Sequence, residues 1–344
     1  MKNLRKKNPE YQYLETLSKR LTLFEKEKKK LERLQKGYAA ECSLDRLQEF
    51  LTKDKLPCID DLYLKTNESC VQIDKLIVVE NTAYVIDVKN YSGKYTFVNN
   101  EWIRDNLPLQ ENIFEQLHNA MRAVKRVLLK AGSDLEVKGV LVFMNATATI
   151  DIKDSVADLV LDIREVGGWF IEQMSKISDQ QDNSWQEIIN RQKIEPISSK
   201  EVFSPKRIDY LQKGILCRNC NKEQKRTTYA FKCPHCQGSE PKETAYVRSI
   251  CEYGVIFCDK ELLFKDLLIF LGSDVSKRYL REILTKHFGP KITHGVHVSY
   301  RNKVLIFDYW FANKMDYFQS LEVRTHWKPK KESDESTFFD EKAH

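Results

Sequence analysis

From Val71 to Lys89 the chain reads VQIDKLIVV, then ENT, then AYVIDVK, two apolar runs about a three-residue break. The runs are rich in Val and Ile and too short for helices, so they predict two strands joined as a hairpin. A third strand-like run, CIDDLYL, precedes them at 58–64. Helical spacing takes over on either side. Leu14, Leu17, Leu21, Phe24, Leu31 and Leu34 mark a long charged helix, or a helical hairpin, with a narrow apolar stripe interrupted at Lys28. Gly37 is expected to break that pattern, and YAAECSLDRLQEFLTKD to begin a new helix carrying Glu41. Downstream, LQENIFEQLHNAMRAVKRVLLKAG predicts an amphipathic helix ending at Gly132. VKGVLVFMN, at 137–145, is apolar nearly throughout and predicts a strand buried on both faces. A shorter strand, LVLDI, precedes the helix VGGWFIEQMSKI. Helix, three strands, helix, strand predicts an α/β (α+β) core, a mixed central sheet flanked by helices.

Charge changes this picture at the N-terminus. Residues 1–36 hold twelve Lys and Arg against five Glu, whereas the remaining 308 hold 44 basic against 45 acidic residues. The basic character belongs to an arm over 1–36, which suits either an anionic partner such as nucleic acid or a solvated helix face. No apolar run approaches the roughly 18 residues that span a bilayer, and the charged start has no apolar segment behind it, so neither a membrane span nor a signal peptide is expected. The chain is expected in the cytoplasm, where the reducing environment argues against a disulfide framework for its nine cysteines. The core then spans 37–192. A Pro-, Ser- and charge-rich linker covers 193–212, a cysteine-rich insert 213–238, a third α+β module 239–330 and a disordered tail 331–344.

In the second hairpin strand Asp87 and Lys89 share a face by the period of two. Asp74 lies on the preceding strand. Any odd-sum register, such as Asp74 opposite Lys89 about an Asn81–Thr82 loop, brings the three together. An even-sum register sends Asp74 to the other face. Two carboxylates close together in a half-buried sheet repel and lose hydration unless something compensates. A divalent cation does so, and oxygen ligands suit Mg²⁺ or Mn²⁺. A buried Asp–Lys pair without a ligand is the plain alternative.

These residues carry a resemblance. VQIDKLIVVENTAYVIDVKNYSGKY, with GYAAE upstream and NIFEQLHNAM downstream, resembles the core of the nuclease-related (NERD) domain. That family is placed in the restriction-endonuclease-like PD-(D/E)xK superfamily. The resemblance covers roughly 37–150 and implies an α-β-β-β-α-β core. It implies Asp74 and Asp87 as metal ligands and Lys89 as catalytic base or water-orienting group. Glu41 would assist the metal or its water, and Gln116 would line the site. Two features depart from the pattern: no proline precedes Asp74, and the middle acid is Asp87 rather than the commoner Glu. The implied activity is metal-dependent hydrolysis of nucleic acid, DNA first. The alternative is a nucleic-acid-binding protein whose core no longer cuts.

Cys217, Cys220, Cys233 and Cys236 form two C-x2-C knuckles twelve residues apart. Each knuckle aims two thiolates at one tetrahedral ion, so a structural Zn²⁺ in a closed shell is expected. His235 is a bystander on this reading, and the other five cysteines are small core residues. Arg218, Lys222, Lys225, Arg226 and Lys232 surround Tyr229 and Phe231. The basic residues are candidates for nucleic-acid contact, and the two aromatics are expected to form the ribbon's core. Beyond the ribbon, two helices about LGSD and a hairpin turning at RNK outline a winged helix, with Lys277, Arg278 and Arg281 toward DNA backbone. His294 and His297 are expected in that hairpin, facing solvent.

Overall fold

The computed structural model describes residues 5–53, 55–65, 70–109, 112–178, 183–195, 203–289, 291–294, 297–304 and 315–326. The predicted tail over 331–344 lies outside them. The chain divides into two compact units, the first made of Met1–Glu15 and Leu23–Glu201, the second of Thr16–Thr22 and Val202–His344.

The first unit is a mixed α/β structure. After α1 (Pro9–Ser18) comes α2, which runs unbroken from Glu25 to Thr52. Gly37 therefore does not end a helix. Glycine costs about 1 kcal/mol in a helix interior, and the 28-residue helix around it absorbs that. Then follow β1 (Cys58–Lys65), β2 (Cys70–Val79) and β3 (Thr82–Lys89), and after a small meander α3 (Ile113–Lys130) and β7 (Glu136–Phe143). With β9 (Leu159–Asp162) these strands form a five-stranded sheet in the order β1-β2-β3-β7-β9. The β1–β2–β3 half is antiparallel and β3–β7–β9 parallel. The parallel step from β3 to β7 needs a crossover, and α3 supplies it.

The meander, β4 (Gly93–Val98), β5 (Glu101–Arg104) and β6 (Leu107–Pro108), joins β8 (Ala148–Ile152) in a second sheet that the apolar pattern did not predict. Its two turns are Asn99–Asn100 (φ 53° and 63°) and Asp105–Asn106 (φ 47° and 69°). Paired positive φ is what a two-residue hairpin turn of the tightest kind demands, and Asn and Asp tolerate it.

Period-2 alternation sorts the five-stranded sheet into two cores. Leu76, Val78, Ala83, Val85, Leu141 and Phe143 pack with Leu117, Ala120, Val124 and Leu128 of α3. Ile77, Val79, Ile86, Val88, Val140 and Val142 pack on the other face with Ala40 and Leu44 of α2 and with Trp169 and Phe170 of α4 (Val166–Ser175). Each fully buried aliphatic or aromatic side chain contributes about 1.5–3 kcal/mol. β7 feeds both cores, as its continuous apolar run predicts. Trp185 and Ile189 of α5 (Ser184–Gln192) complete the α3 side.

The second unit is built on α6 (Lys242–Ile256), buried over nearly its whole length. Strands β10 (Lys225–Arg226), β11 (Ala230–Lys232) and β12 (Ser239–Pro241) form a three-stranded ribbon sheet ahead of it. A buried network anchors that ribbon to the helix. Arg248 pairs with Glu240 of β12 (2.8 Å) and with Glu252 (2.6 Å), and Glu252 also takes Arg20 (2.5 Å). Burial alone would raise the Glu252 carboxyl; the Arg20 and Arg248 guanidiniums overcome it and hold the group down at about 2. Further on lie β13 (Leu262–Leu263), α7 (Phe264–Leu271), α8 (Lys277–Ile283), a π-turn over Leu284–Phe288, β14 (Lys291–His294) and β15 (His297–Tyr300). β15 pairs with β14, Lys291–His294, in a hairpin; the downstream arm of the hairpin expected about RNK lies outside the described residues. The helix Met315–His326 ends the described residues, and among them no helix is long and apolar enough to cross a membrane.

Candidate active site and zinc centre

The β2–β3 hairpin has an odd-sum register: Lys75 pairs with Ile86, Leu76 with Val85 and Val79 with Thr82. The loop is Glu80–Asn81, two residues short of the Asn81–Thr82 register considered from sequence, with Glu80 at φ 51°. Continued one step, the ladder sets Asp74 opposite Asp87 rather than Lys89. Parity is kept, so Asp74, Asp87 and Lys89 point to the α3 face with Leu76 and Val85. The ladder ends there. Asp61, across from Asp74 on β1, takes φ 50° and is skipped in the β1–β2 pairing. Asp74 Oδ2 accepts the Val88 N–H at 2.8 Å, so the carboxylate replaces a strand partner where the sheet opens.

Lys89, 8% exposed, sits between two acceptors. Its Nζ lies 2.8 Å from Asp87 Oδ2 and donates to Gln116 Oε1 at 2.6 Å. Gln116 comes from the first turn of α3, so the helix is tied to the strand at this point. Burial disfavours the Lys89 charge, but Asp87 outweighs it and the ammonium is held above its ordinary value. Asp74 is pushed well above the carboxylate range by burial, then by the nearby Glu41 and Asp87 charges.

Glu41 reaches the same cleft from α2, where burial raises its carboxyl to about 7 against the pull of Arg5. Arg5 holds it at 3.0 Å, grips Asp45 at 2.9 Å and donates to the Asp74 carbonyl at 2.8 Å. Sequence reading gave Arg5 no role, because no periodicity links residue 5 with residues 41, 45 and 74.

The residues fit a divalent cation. Asp87 Oδ2 is buried and has no hydrogen bond of good geometry, and it lies in a cleft with a second carboxylate that faces the same way. Among the described residues the four cysteines are the one group of three or more acids, histidines or thiols whose ligand atoms lie within 4.8 Å of one another. With Glu41 held by Arg5, the acids Glu41, Asp74 and Asp87 line one cleft without forming such a group. The cleft measures about 1210 Å³, and its wall continues along α3 through Arg122, Lys125, Arg126 and Lys130. Positions i, i+3, i+4 and i+8 put that basic row on one side of the helix.

In the second unit the cysteines form two matched turns. The N–H of Cys217 donates to Lys222 O and that of Cys233 to Gly238 O, both at 2.8 Å. The carbonyls of Cys217 and Cys233 accept from Asn221 and Gln237, both at 3.0 Å. Asn221 and Gln237 take φ 56° and 60°. Sγ atoms of Cys217 and Cys236, and of Cys220 and Cys233, are 3.5 Å apart. A tetrahedron with Zn–S bonds of 2.3 Å has edges of about 3.8 Å, so the four thiols fit zinc. The backbone N–H of Cys236, with that of His235, draws Cys233 down to about 7, which readies a thiolate at neutral pH. Of the other cysteines only Cys251 is buried; Cys42, Cys58, Cys70 and Cys258 are half-buried.

Phe231, 1% exposed, is ribbon core, but Tyr229 is 79% exposed and is not. All five ribbon cations are exposed. Three of them face acids: Arg218 meets Glu322 at 2.5 Å, Lys225 meets Glu223 at 3.6 Å and Arg226 meets Asp274 at 3.8 Å. Lys222 and Lys232 make no ion pair among the described residues.

No curated protein matches the chain. No solved structure matches it. The family model described as the nuclease-related domain does match, over residues 36–144, from the middle of α2 to the end of β7. That stretch contains Glu41, Asp74, Asp87, Lys89 and Gln116, and on this match the chain carries a nuclease-related (NERD) domain followed by a four-cysteine cluster able to hold zinc.

Proposed function

We propose that this protein is a metal-dependent nuclease that hydrolyses phosphodiester bonds of nucleic acid, with DNA as the substrate class. The observation that carries the reading is the meeting of Asp74, Asp87 and Lys89 on one face where the β2–β3 ladder opens, inside the NERD domain. Asp74 and Asp87 are the residues to hold Mg²⁺ or Mn²⁺. Such an ion supplies a water of lowered pKa and stabilises charge on the phosphorane-like transition state. Lys89 would orient that water or offset phosphate charge through its N–H donors, and Gln116 fixes the ammonium by accepting a hydrogen bond from it. Glu41 assists the ion or its water once Arg5 releases it. Zn²⁺ in the closed cysteine shell is structural, because no coordination position stays open. Reduced thiols able to hold it suit a cytoplasmic protein.

The second unit supports a nucleic-acid partner. Its order of helix, strand, two helices and two strands, with the sheet order β13-β15-β14, is that of a winged helix. Lys277, Arg278 and Arg281 lie on its α8, and Arg218, Lys222, Lys225, Arg226 and Lys232 are the ribbon's candidate contacts.

A second reading is a binding protein whose nuclease core does not cut. The grip of Arg5 on Glu41 favours it, since it withholds a third acid from the cation. Calorimetric titration with Mn²⁺ tests the metal centre. The expected result is one ion per chain beyond zinc, lost in Asp74→Asn and in Asp87→Asn and kept in Lys89→Ala. A wild-type protein that takes up no Mn²⁺, alone or with DNA, removes the metal from the reading.

A further inference from the structure

The cleft is longer than its chemistry needs. The acids and Lys89 occupy the end near Gln116, and the α3 wall then runs on past them with four basic side chains. Arg122, Lys125 and Lys130 are exposed and face no carboxylate among the described residues; Arg122 donates only to Asn119 Oδ1. Like charges three and four residues apart destabilise a helix, and among the described residues no acid pairs with Arg122, Lys125 or Lys130. The ribbon differs, because three of its five cations already meet acids of their own unit. Three unneutralised cations, Arg122, Lys125 and Lys130, in a row beside a cleft match an extended polyanion that lies along it.

We infer that Arg122, Lys125, Arg126 and Lys130 form a track for the phosphodiester backbone of the nucleic acid, on one side only of the bond held at Asp74, Asp87 and Lys89. The inference rests on the nuclease reading above and adds a direction and a length to it. An α-helix rises 1.5 Å per residue. Arg122 is six residues beyond Gln116 and Lys130 fourteen, so the track spans from about 9 to about 21 Å along the helix from the Lys89 contact. Successive phosphates of one duplex strand advance 3.4 Å along the axis. The track therefore meets backbone about three to six phosphates from the scissile one. Its contacts go to phosphate, so it sets position and affinity and carries no base preference.

The test is fluorescence anisotropy with a labelled DNA duplex of about 30 base pairs. Full-length, zinc-replete protein is titrated without added Mg²⁺ or Mn²⁺ over a series of salt concentrations. The variant is Arg122→Gln, Lys125→Gln and Lys130→Gln together. Arg126, which has a further contact within the protein, is left in place. Glutamine keeps helix propensity, and an unchanged melting temperature shows that the variant is folded. Loss of three phosphate contacts lowers the slope of log K against log salt by about 2.7. A folded variant with the wild-type slope overturns the track, as does a wild-type protein with no salt-dependent binding. Plasmid cleavage by the same preparations separates this from the nuclease reading. Cutting by wild type with the slope unmoved in the variant refutes the track alone. Slope lost in the variant with no cutting by wild type under either metal refutes the nuclease reading and keeps the backbone track.

Discussion

Asp74 and Lys75 stand next to each other on β2 and serve opposite faces. Asp74 turns to the cleft; Lys75 is fully buried on the α2 side, bonded to Asp60 and 3.0 Å from Asp45. Their separation follows from the strand period alone, and the same period put Asp87 and Lys89 on one face. Whether Asp74 joined them depended on the register, which the sequence left open and the β2–β3 pairing supplies. The loop was misjudged by one position at each strand, a shift of two in the pairing sum, and a shift of two leaves every side chain on its face. Arg5 was not legible, since its partners lie 36, 40 and 69 residues away. It is 7% exposed and links Glu41, Asp45 and the Asp74 carbonyl. Arg5→Ala leaves the half-buried Glu41 without its cation, and breaking a buried pair costs about 3–5 kcal/mol. The expected outcome is a melting temperature roughly 10 °C lower, read by circular dichroism. An unchanged melting temperature would remove Arg5 from the scaffold of the site.

At the scale of elements, α3 does most to place the candidate site. Its apolar side, Leu117, Ala120, Val124 and Leu128, was readable as an amphipathic pattern, and its polar side carries both Gln116 and the basic row. The helix can lie close because β7 has a glycine beneath it. A Cβ on Gly139 would collide first with Asp158 Oδ1 and would come 2.8 Å from Met121 Sδ and 2.9 Å from Leu117 Cδ2, closer than packed atoms allow. Gly139→Ala should force Asp158 and the α3 side chains Met121 and Leu117 to shift and cost about 1–3 kcal/mol, measured as a lower urea midpoint. A midpoint equal to wild type would show that the helix tolerates the displacement. Other elements escaped the sequence for identifiable reasons. The β4–β6 strands are two to six residues long, too short for alternation to register, and only their Asn–Asn and Asp–Asn turns carried a signal. Gly37 misled in the opposite sense, because a single glycine is too weak a breaker for a helix of that length.

On the scale of the whole molecule, both units combine buried charge networks with chemistry placed at their margins. In the second unit the Arg20–Glu252–Arg248–Glu240 chain secures the cysteine ribbon to α6. In the first, Arg5 and Lys75 hold the acids behind the hairpin while Asp74, Asp87 and Lys89 face the cleft. The C-x2-C spacings told of the cysteine cluster without any structure, since the knuckle is local. The hairpin site needed the sheet as well, and the acids' exact partners needed the fold. The central claim is that this second arrangement cuts nucleic acid. The most direct measurement is cleavage of plasmid DNA, single-stranded DNA and RNA by the full-length protein with Mg²⁺ or Mn²⁺, alongside Lys89→Ala and an EDTA control. Metal-dependent cutting of DNA is expected, abolished by EDTA and reduced by about a hundredfold or more in Lys89→Ala, as loss of one transition-state donor does. Cutting that persists at the wild-type rate in Lys89→Ala, or a wild-type protein that binds these substrates and cuts none with either metal, would contradict the claim.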